Sequence, residues 1–455
     1  MTQDDKGRAP GRSQAGPHPL GGSTDVLGGR GAPGIPMRWI PTLYFVQGMQ
    51  FFVVMLIAGL MFKNLGVAND QIARWTAVLG LAWAIKPLWS PFLELARSKK
   101  LIVVAAQYVG AIGLGLMALA LHLPHWFGAA IVVLFLIAYA SATHDIACDG
   151  LYMASLDQKR QAAYAGWQGA FFNGARFFIT GVVLKLAGHL EGTLGVFNAW
   201  SSVFVMLAVL VAILATYNAR FLPGTLSTEH SELTASGVAA MLKDVVIDFF
   251  KKPGIWLAVL FIVLFRLAEG QVQTIGPLFL LEARDKGGLG LTTGQVADVY
   301  GWVGTGAFLV GSVLGGYLTS ALGLKRAMPL LLIAMMVPNA TFYYLATALP
   351  PDMIHIGAAV GIEMLGYGFG FVGMILYIMQ AVAPGRYQTA HYALGSGVMQ
   401  LGFIFAKFIS GDIQVSVGYQ HFFAWTIGCG VLPLLLLLWV PMPRRDAAKA
   451  EAVAA

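Results

Sequence analysis

The apolar pattern of this chain is written twice, about 225 residues apart. Leu151-Tyr152 leads through a short stretch to Arg160 and then Tyr164-Ala165. Leu376-Tyr377 leads in the same way to Arg386 and then Tyr392-Ala393. An earlier pair, DQIARW at 70–75 and GQVADVY at 294–300, keeps nearly the same offset. A duplicated half constrains the fold more than any single residue does. Both copies must pack as similar bundles, and internal repeats of membrane-spanning halves are the build of secondary carriers.

Composition says what the halves are made of. Charged residues are 11% of the chain and hydrophobic residues 57%, against roughly 25% charged in soluble domains. A spanning helix needs about 20 mostly apolar residues. Stretches of that kind lie at about 38–62, 72–95, 101–121, 126–150, 162–188, 195–217, 254–281, 294–320, 327–349, 353–381, 388–410 and 420–441. A soluble core explains one or two such runs, not twelve in series. The expectation is an all-α membrane protein with twelve transmembrane helices in two six-helix halves.

The net charge of +7 orients the chain; it does not point to nucleic acid. Of 29 Lys and Arg, 20 fall on one side of the proposed spans, 4 on the other (Lys63, Arg74, Arg284, Lys286) and 5 inside spans. That bias is the positive-inside rule, which puts both termini in the cytoplasm. Residues 1–36 read as a disordered cytoplasmic tail rich in Gly and Pro, 37–217 as the first bundle, 218–252 as a cytoplasmic linker, 253–442 as the second bundle and 443–455 as a second tail. Within the linker, 236–250 (SGVAAMLKDVVIDFF) alternates apolar and charged positions at helical spacing, the pattern of an amphipathic surface helix. Cys148 and Cys429 both fall in spans, so neither a disulfide nor a metal cluster is expected, and no cofactor is called for. The sequon Asn339-Ala340-Thr341 lies inside a span and reads as accidental.

Ionisable groups inside a bilayer are costly and usually face a cavity or each other. Lys86 sits within span two, before Pro87. Asp145 and Asp149, four apart, share a face of span four. Arg176 is central in span five. Arg266 and Glu269, three apart, share a face of span seven, followed by Gln271 and Gln273. Glu363 is central in span ten, with Tyr367 one turn on. Gln47 and Gln50 of span one stand opposite the span-seven group in the repeat. A carboxylate withdrawn from water favours its protonated form, so Asp145, Asp149 and Glu269 are the candidates for proton coupling. Fixed cations and amides suit a polar solute: Lys86, Arg176, Arg266, Gln47, Gln50, Gln271, Gln273, Glu363 and Tyr367 are the candidates for substrate binding. The competing reading makes Lys86–Asp145 and Arg266–Glu269 internal pairs that only hold helices together. Lys185 and Lys407, nearer span ends, are expected to snorkel to the interface.

Two enzyme-like signals carry little. His144 and Asp149 have the H-x-x-x-x-D spacing of some acyltransferases, but within an apolar span. The glycines at 311, 315 and 366–370 follow no strand and read as helix-packing residues, not phosphate loops.

Six plus six spans, a central linker and the short turn GGYLTSALGLKRAM (315–328) match the major facilitator architecture. Lys86-Pro87-Leu88-Trp89-Ser90-Pro91 resembles the Lys-x-x-Trp-Ser-Pro stretch of AmpG-type muropeptide permeases. Ser141-Ala142-Thr143-His144-Asp145-Ile146-Ala147-Cys148-Asp149 resembles the Ser-Ala-Ser-Gln-Asp-x-x-x-Asp stretch of their fourth span. The resemblance implies proton-driven import of an amino-sugar muropeptide across a bacterial inner membrane, with Asp145 and Asp149 coupling and Lys86 as their partner. The turn after span two, FLELARSKK (92–100), lacks the Asp-Arg of the family. A siderophore, another saccharide or an organic anion is the alternative cargo, and a membrane sensor on a carrier scaffold the alternative class. The partners expected are a small-molecule substrate, protons and lipid, with the chain acting as a monomer.

Overall fold

A computed structural model of the protein describes residues 35–90, 93, 98–224 and 235–442. The two tails (1–34 and 443–455), linker residues 225–234 and most of the 91–97 turn lie outside the described residues.

Ten helices among the described residues are long and apolar enough to cross a membrane. The last of these, Ala390–Leu436, has 47 residues, about twice what a bilayer needs. It is two spans, because Gly418 at φ +75° breaks the helical path, a backbone state that glycine adopts without steric cost. One further span is interrupted: helix Asn69–Leu79 gives way to Leu81–Ala84 and then to a 3-10 turn at Lys86–Leu88. Pro87 has no N–H to donate to the helix ladder, so the break falls where the sequence demands it. The spans are therefore α1 (Pro36–Asn64), α2 (69–88), α3 (Lys99–Ala120), α4 (Trp126–Ser155), α5 (158–194), α6 (Val196–Phe221), α7 (Ile255–Leu281), α8 (Thr293–Leu322), α9 (Leu324–Ala348), α10 (Met353–Val382), α11 (388–417) and α12 (419–436). An even number of crossings returns both described chain ends to one face, called here the terminus face.

Between α6 and α7 runs a linker helix, Ala235–Lys251. Its Val245 and Phe249 are buried, and the Phe249 ring lies 5.6 Å from His391 at the start of α11. Just beyond it, Lys252 Nζ donates to the carbonyls of Val382, Ala383 and Pro384 at 2.7, 3.2 and 2.9 Å. These carbonyls have no intrahelical partner at the end of α10, and a lysine there satisfies them. The linker is thus tied to the α10–α11 turn.

The halves meet along α2–α11 and α5–α8, pairings related by the repeat. Both depend on glycine. A Cβ on Gly411 of α11 would lie 2.5 Å from Asp70 Cα, and one on Gly301 of α8 would lie 2.2 Å from the Thr180 carbonyl oxygen of α5. Backbones approach this closely only where no side chain intervenes. The same two interfaces carry ion pairs near the face opposite the termini. Arg74 Nη2 of α2 meets Asp412 Oδ1 of α11 at 2.7 Å, and Lys185 of α5 pairs with Asp298 of α8. By the repeat offset, Arg74 corresponds to Asp298 and Asp412 to Lys185. One contact has been kept twice with its charges exchanged. Lys185 therefore finds a partner across the interface instead of snorkelling.

Candidate substrate cavity

Cross-half polar contacts cluster on the opposite face, and the space between the halves widens toward the terminus face. A cavity of about 710 Å³ lies there. Its lining comes from α1 (Tyr44, Gln47, Phe51), α2 (Trp83, Lys86, Ser90), α4 (Asp145, Asp149), α5 (Gln168, Phe172) and α11 (Tyr392, Ser396, Gln400). Tyr44 and Gln47 lie within about a dozen residues of the α1 start, and Asp149 lies six before the α4 end. At about 1.5 Å per residue the polar wall sits within the half of the bilayer nearest the terminus face.

The charges on this wall form one group made of two neighbouring hydrogen-bonded sets. Lys86 is ion-paired with Asp145, whose other oxygen accepts from the Gln47 amide. Asp149 accepts from the Tyr44 hydroxyl at 3.1 Å, and Gln168 Nε2 donates to that hydroxyl at 2.7 Å. The Lys86 side chain is 30% exposed and that of Asp145 14%, so this group is wet. Among the described residues that line the cavity it holds two carboxylates and one cation.

A second group lies in the C-terminal half and is dry. Arg266 Nη1 meets Glu269 Oε2 at 2.6 Å, with the side chains 6% and 1% exposed. The Arg266 guanidinium lies 4.5 Å from the Phe403 ring centroid and 5.3 Å from that of Phe371. Aromatic faces offer a buried cation the partial negative charge it lacks. Gln273 Nε2 donates to Glu363 Oε1 at 3.0 Å, and the Tyr300 hydroxyl donates to Gln273 Oε1 at 3.4 Å. Arg176 reaches into this group from α5 of the other half, over the Phe308 ring at 4.6 Å. Tyr367 stands beside Arg266 and Glu269. Two cations face two carboxylates here.

A family model described as Major Facilitator Superfamily matches residues 42–406. The chain belongs to that superfamily. Among curated proteins, the Anhydromuropeptide permease of Escherichia coli (strain K12) is 26% identical over 376 residues, 80% of this chain and 71% of that protein. A Rickettsia felis protein named as transporter AmpG 4 is 23% identical over 410 residues, 88% of this chain and 94% of its own length. Among solved structures, a D-xylose-proton symporter superposes with a TM-score of 0.69 at 12% identity, covering 89% of this chain and 97% of that one. The nucleoside transporter NupG gives 0.67 at 16% identity, over 89% and 98%. At such identities the solved structures establish the fold alone. This major facilitator chain is a multi-pass membrane transporter, similar over most of its length to AmpG-type permeases.

The remaining candidates separate by the face they occupy. Gln50, three residues after Gln47, is buried with its amide against Gly110 of α3, where a Cβ would lie 2.0 Å from Nε2. Gln271 accepts from Trp425 Nε1 at 3.1 Å and donates to the Leu267 carbonyl at 2.9 Å. Both face their own bundle, away from the cavity. Among the aromatic residues of the spans, Trp83 lines the cavity. Trp89 instead lies against Tyr139, and Trp302 packs against Gly181 at the α5–α8 contact. His144 contacts Gln107 at 2.8 Å, inside the N-terminal half, so the acyltransferase-like spacing does not bring it to Asp149. Lys407 does not snorkel. It is buried, and its Nζ donates at 3.4 Å to the carbonyl of Met55 across the interface. Met55 lies in a π-helical stretch of α1, Val53–Ile57, where the widened turn loosens the helix's own hydrogen bonding.

Sequence reasoning missed Tyr44, Gln168, Ser396 and Gln400. The signal for some of them was present. Tyr44 is three residues from Gln47, on the same side of α1. Tyr392, Ser396 and Gln400 recur every four residues, a polar stripe along one side of α11.

Proposed function

We infer that this transporter is a proton-coupled importer of a muropeptide or related amino-sugar saccharide in a bacterial inner membrane, with both termini cytoplasmic. On this reading two six-helix halves rock about a site between them, and the form described here opens to the cytoplasm. The observation that carries the reading is the wet group on the cavity wall. Lys86 neutralises one of two carboxylates, and the uncompensated charge of Asp145 and Asp149 is where a proton joins the transport cycle. Glu269 enters the cycle only when the C-terminal half rearranges, because in this form Arg266 holds it away from water. The cavity is of the size that small-molecule sites occupy. Its hydroxyls and amides (Ser90, Ser396, Gln168, Gln400) suit sugar and peptide groups, and Trp83 and Tyr392 offer faces for a sugar ring. The named function of the Escherichia coli relative supports the cargo, and the positive-inside bias supports the orientation.

The test is uptake of a labelled anhydromuropeptide into proteoliposomes under an imposed pH gradient. Wild type accumulates it. Asp149→Asn and Asp145→Asn only equilibrate it, while exchanging labelled for unlabelled solute across the membrane. Gradient-driven accumulation in both variants would falsify the coupling assignment. Failure of wild type to take up the muropeptide while another solute enters would remove the cargo assignment.

A further inference from the structure

A second cavity, of about 650 Å³, lies on the face opposite the termini, above the closed contact between the halves. Its polar lining is Lys63, Asn64 and Asn69 from the N-terminal half, and Glu282, Lys286, Gln414 and Tyr419 from the C-terminal half. Four of these close a ring. Lys63 is ion-paired with Glu282 and donates to Asn69 Oδ1 at 2.9 Å. Asn69 Nδ2 donates to the Tyr419 hydroxyl at 2.7 Å, and that hydroxyl donates to Glu282 Oε2 at 3.1 Å. Asn69 Nδ2 also donates to Gln414 Oε1 at 2.7 Å. The Lys63 and Glu282 side chains are only 12% and 15% exposed. Among the described residues the vestibule lining sets two lysines against one carboxylate, and that carboxylate is already engaged.

We propose that this vestibule is a capture site for the carboxylate of an incoming anionic solute, and that Lys63 is shared between capture and closure. In the closed form Lys63 holds Glu282. A solute carboxylate takes the place of Glu282 on the same cation, and Lys286 supplies the second positive charge. One carboxylate exchanges for another, so the ion pair that opening must break is replaced as it is lost. A solute shifts an equilibrium between two forms only by its differential affinity for them, and here that difference lies in the freed lysine. Solutes without a carboxylate gain nothing at this step. The inference rests on the import reading in one respect, that cargo arrives at this face.

Two substitutions remove the same ion pair and separate capture from mere latching. The full-length protein, in vesicles exposing this face, is titrated with N-acetylmuramate, which carries a carboxylate, and with N-acetylglucosamine, which does not. Capture predicts that wild type prefers N-acetylmuramate. It predicts that Lys63→Gln weakens this binding about tenfold, the loss of roughly one charge-assisted contact. Glu282→Gln, which frees Lys63, strengthens it about threefold or more. Asp412→Asn, which loosens a cross-half pair outside the vestibule, moves both sugars equally. The proposal is overturned if wild type shows no preference for the carboxylate, or if Lys63→Gln and Glu282→Gln shift binding in the same direction. Failure of the import reading looks different. N-acetylmuramate then binds with the opposed shifts, yet no anhydromuropeptide is transported.

Discussion

The two halves of this transporter use the same parts to opposite ends. Gln47 and Gln273 are counterparts at the repeat offset, and each donates to a carboxylate on the fourth helix of its own half, Asp145 and Glu363. Around Asp145 the group is wet, and among the described cavity-lining residues Lys86 faces two carboxylates. Around Glu363 it is dry, evenly matched in charge and roofed by Phe308, Phe371 and Phe403. Intramembrane charge serves a different purpose in each place. A dry, matched cluster fixes how helices sit, because any member left alone is buried without a partner. A wet, unmatched cluster is free to exchange a proton or a solute group.

The contrast breaks most visibly at Arg266. Replacing it with Met strands Glu269, which is 1% exposed, and is expected to cost about 3–5 kcal/mol of stability. Arg266→Met combined with Glu269→Leu should recover most of that loss. Thermal or denaturant unfolding in detergent checks both, and equal losses in single and double variants would contradict a paired core. Next comes Glu363→Gln, which keeps an acceptor for Gln273 but unbalances the dry group. A loss of about 1–3 kcal/mol follows, with the double variant Glu363→Gln/Arg176→Met closer to wild type.

In the wet group the same chemistry should do less to the fold. Lys86→Met is expected to cost under about 1 kcal/mol, since water reaches Asp145, while gradient-driven uptake falls at least tenfold. A stability loss as large as that of Arg266→Met would erase the distinction between the halves.

The smallest effect expected is that of pH on the opposite face. Burial alone would raise the Glu282 carboxyl, but the hydrogen bond and charge of Lys63, with the Tyr419 hydroxyl, hold it below its ordinary value of 4.5. A carboxyl held low keeps its full contribution above that ordinary value and loses it only as pH falls through the lowered one. Spin labels at Val67 and Val415 should therefore report one separation from pH 8 to pH 6 and a longer one only in strong acid. Opening between pH 8 and 6 would mean that another group holds this face shut.

The spans, their number and the charges within them were legible because each is a local property of the sequence. The Arg266–Glu269 pair could be read from its three-residue spacing, and Lys86 with Asp145 from the resemblance. Facing was not legible. Gln50 is about 60° around α1 from Gln47, and Gln271 about 160° around α7 from Gln273, at 100° per residue. Those turns send both into their own bundles. The break at Pro87 was marked in the sequence; the division of α11 from α12 at Gly418 fell between two expected spans. Lys407 was read as a snorkelling lysine because nothing local says that its side of α11 faces the other half. The cross-half pairs Lys63–Glu282, Arg74–Asp412 and Lys185–Asp298 join residues that only the assembled bundles bring together.

One charged group is wet and the other dry, and cysteine labelling reads that directly. Cys148 and Cys429 are both buried, so single cysteines can be placed at Gln168, Ser396, Gln273 and Tyr367 and treated with a membrane-impermeant maleimide from the terminus face. Gln168→Cys and Ser396→Cys should label readily, and Gln273→Cys and Tyr367→Cys should resist. Equal labelling at all four positions, or protection at Gln168 and Ser396, would contradict the account.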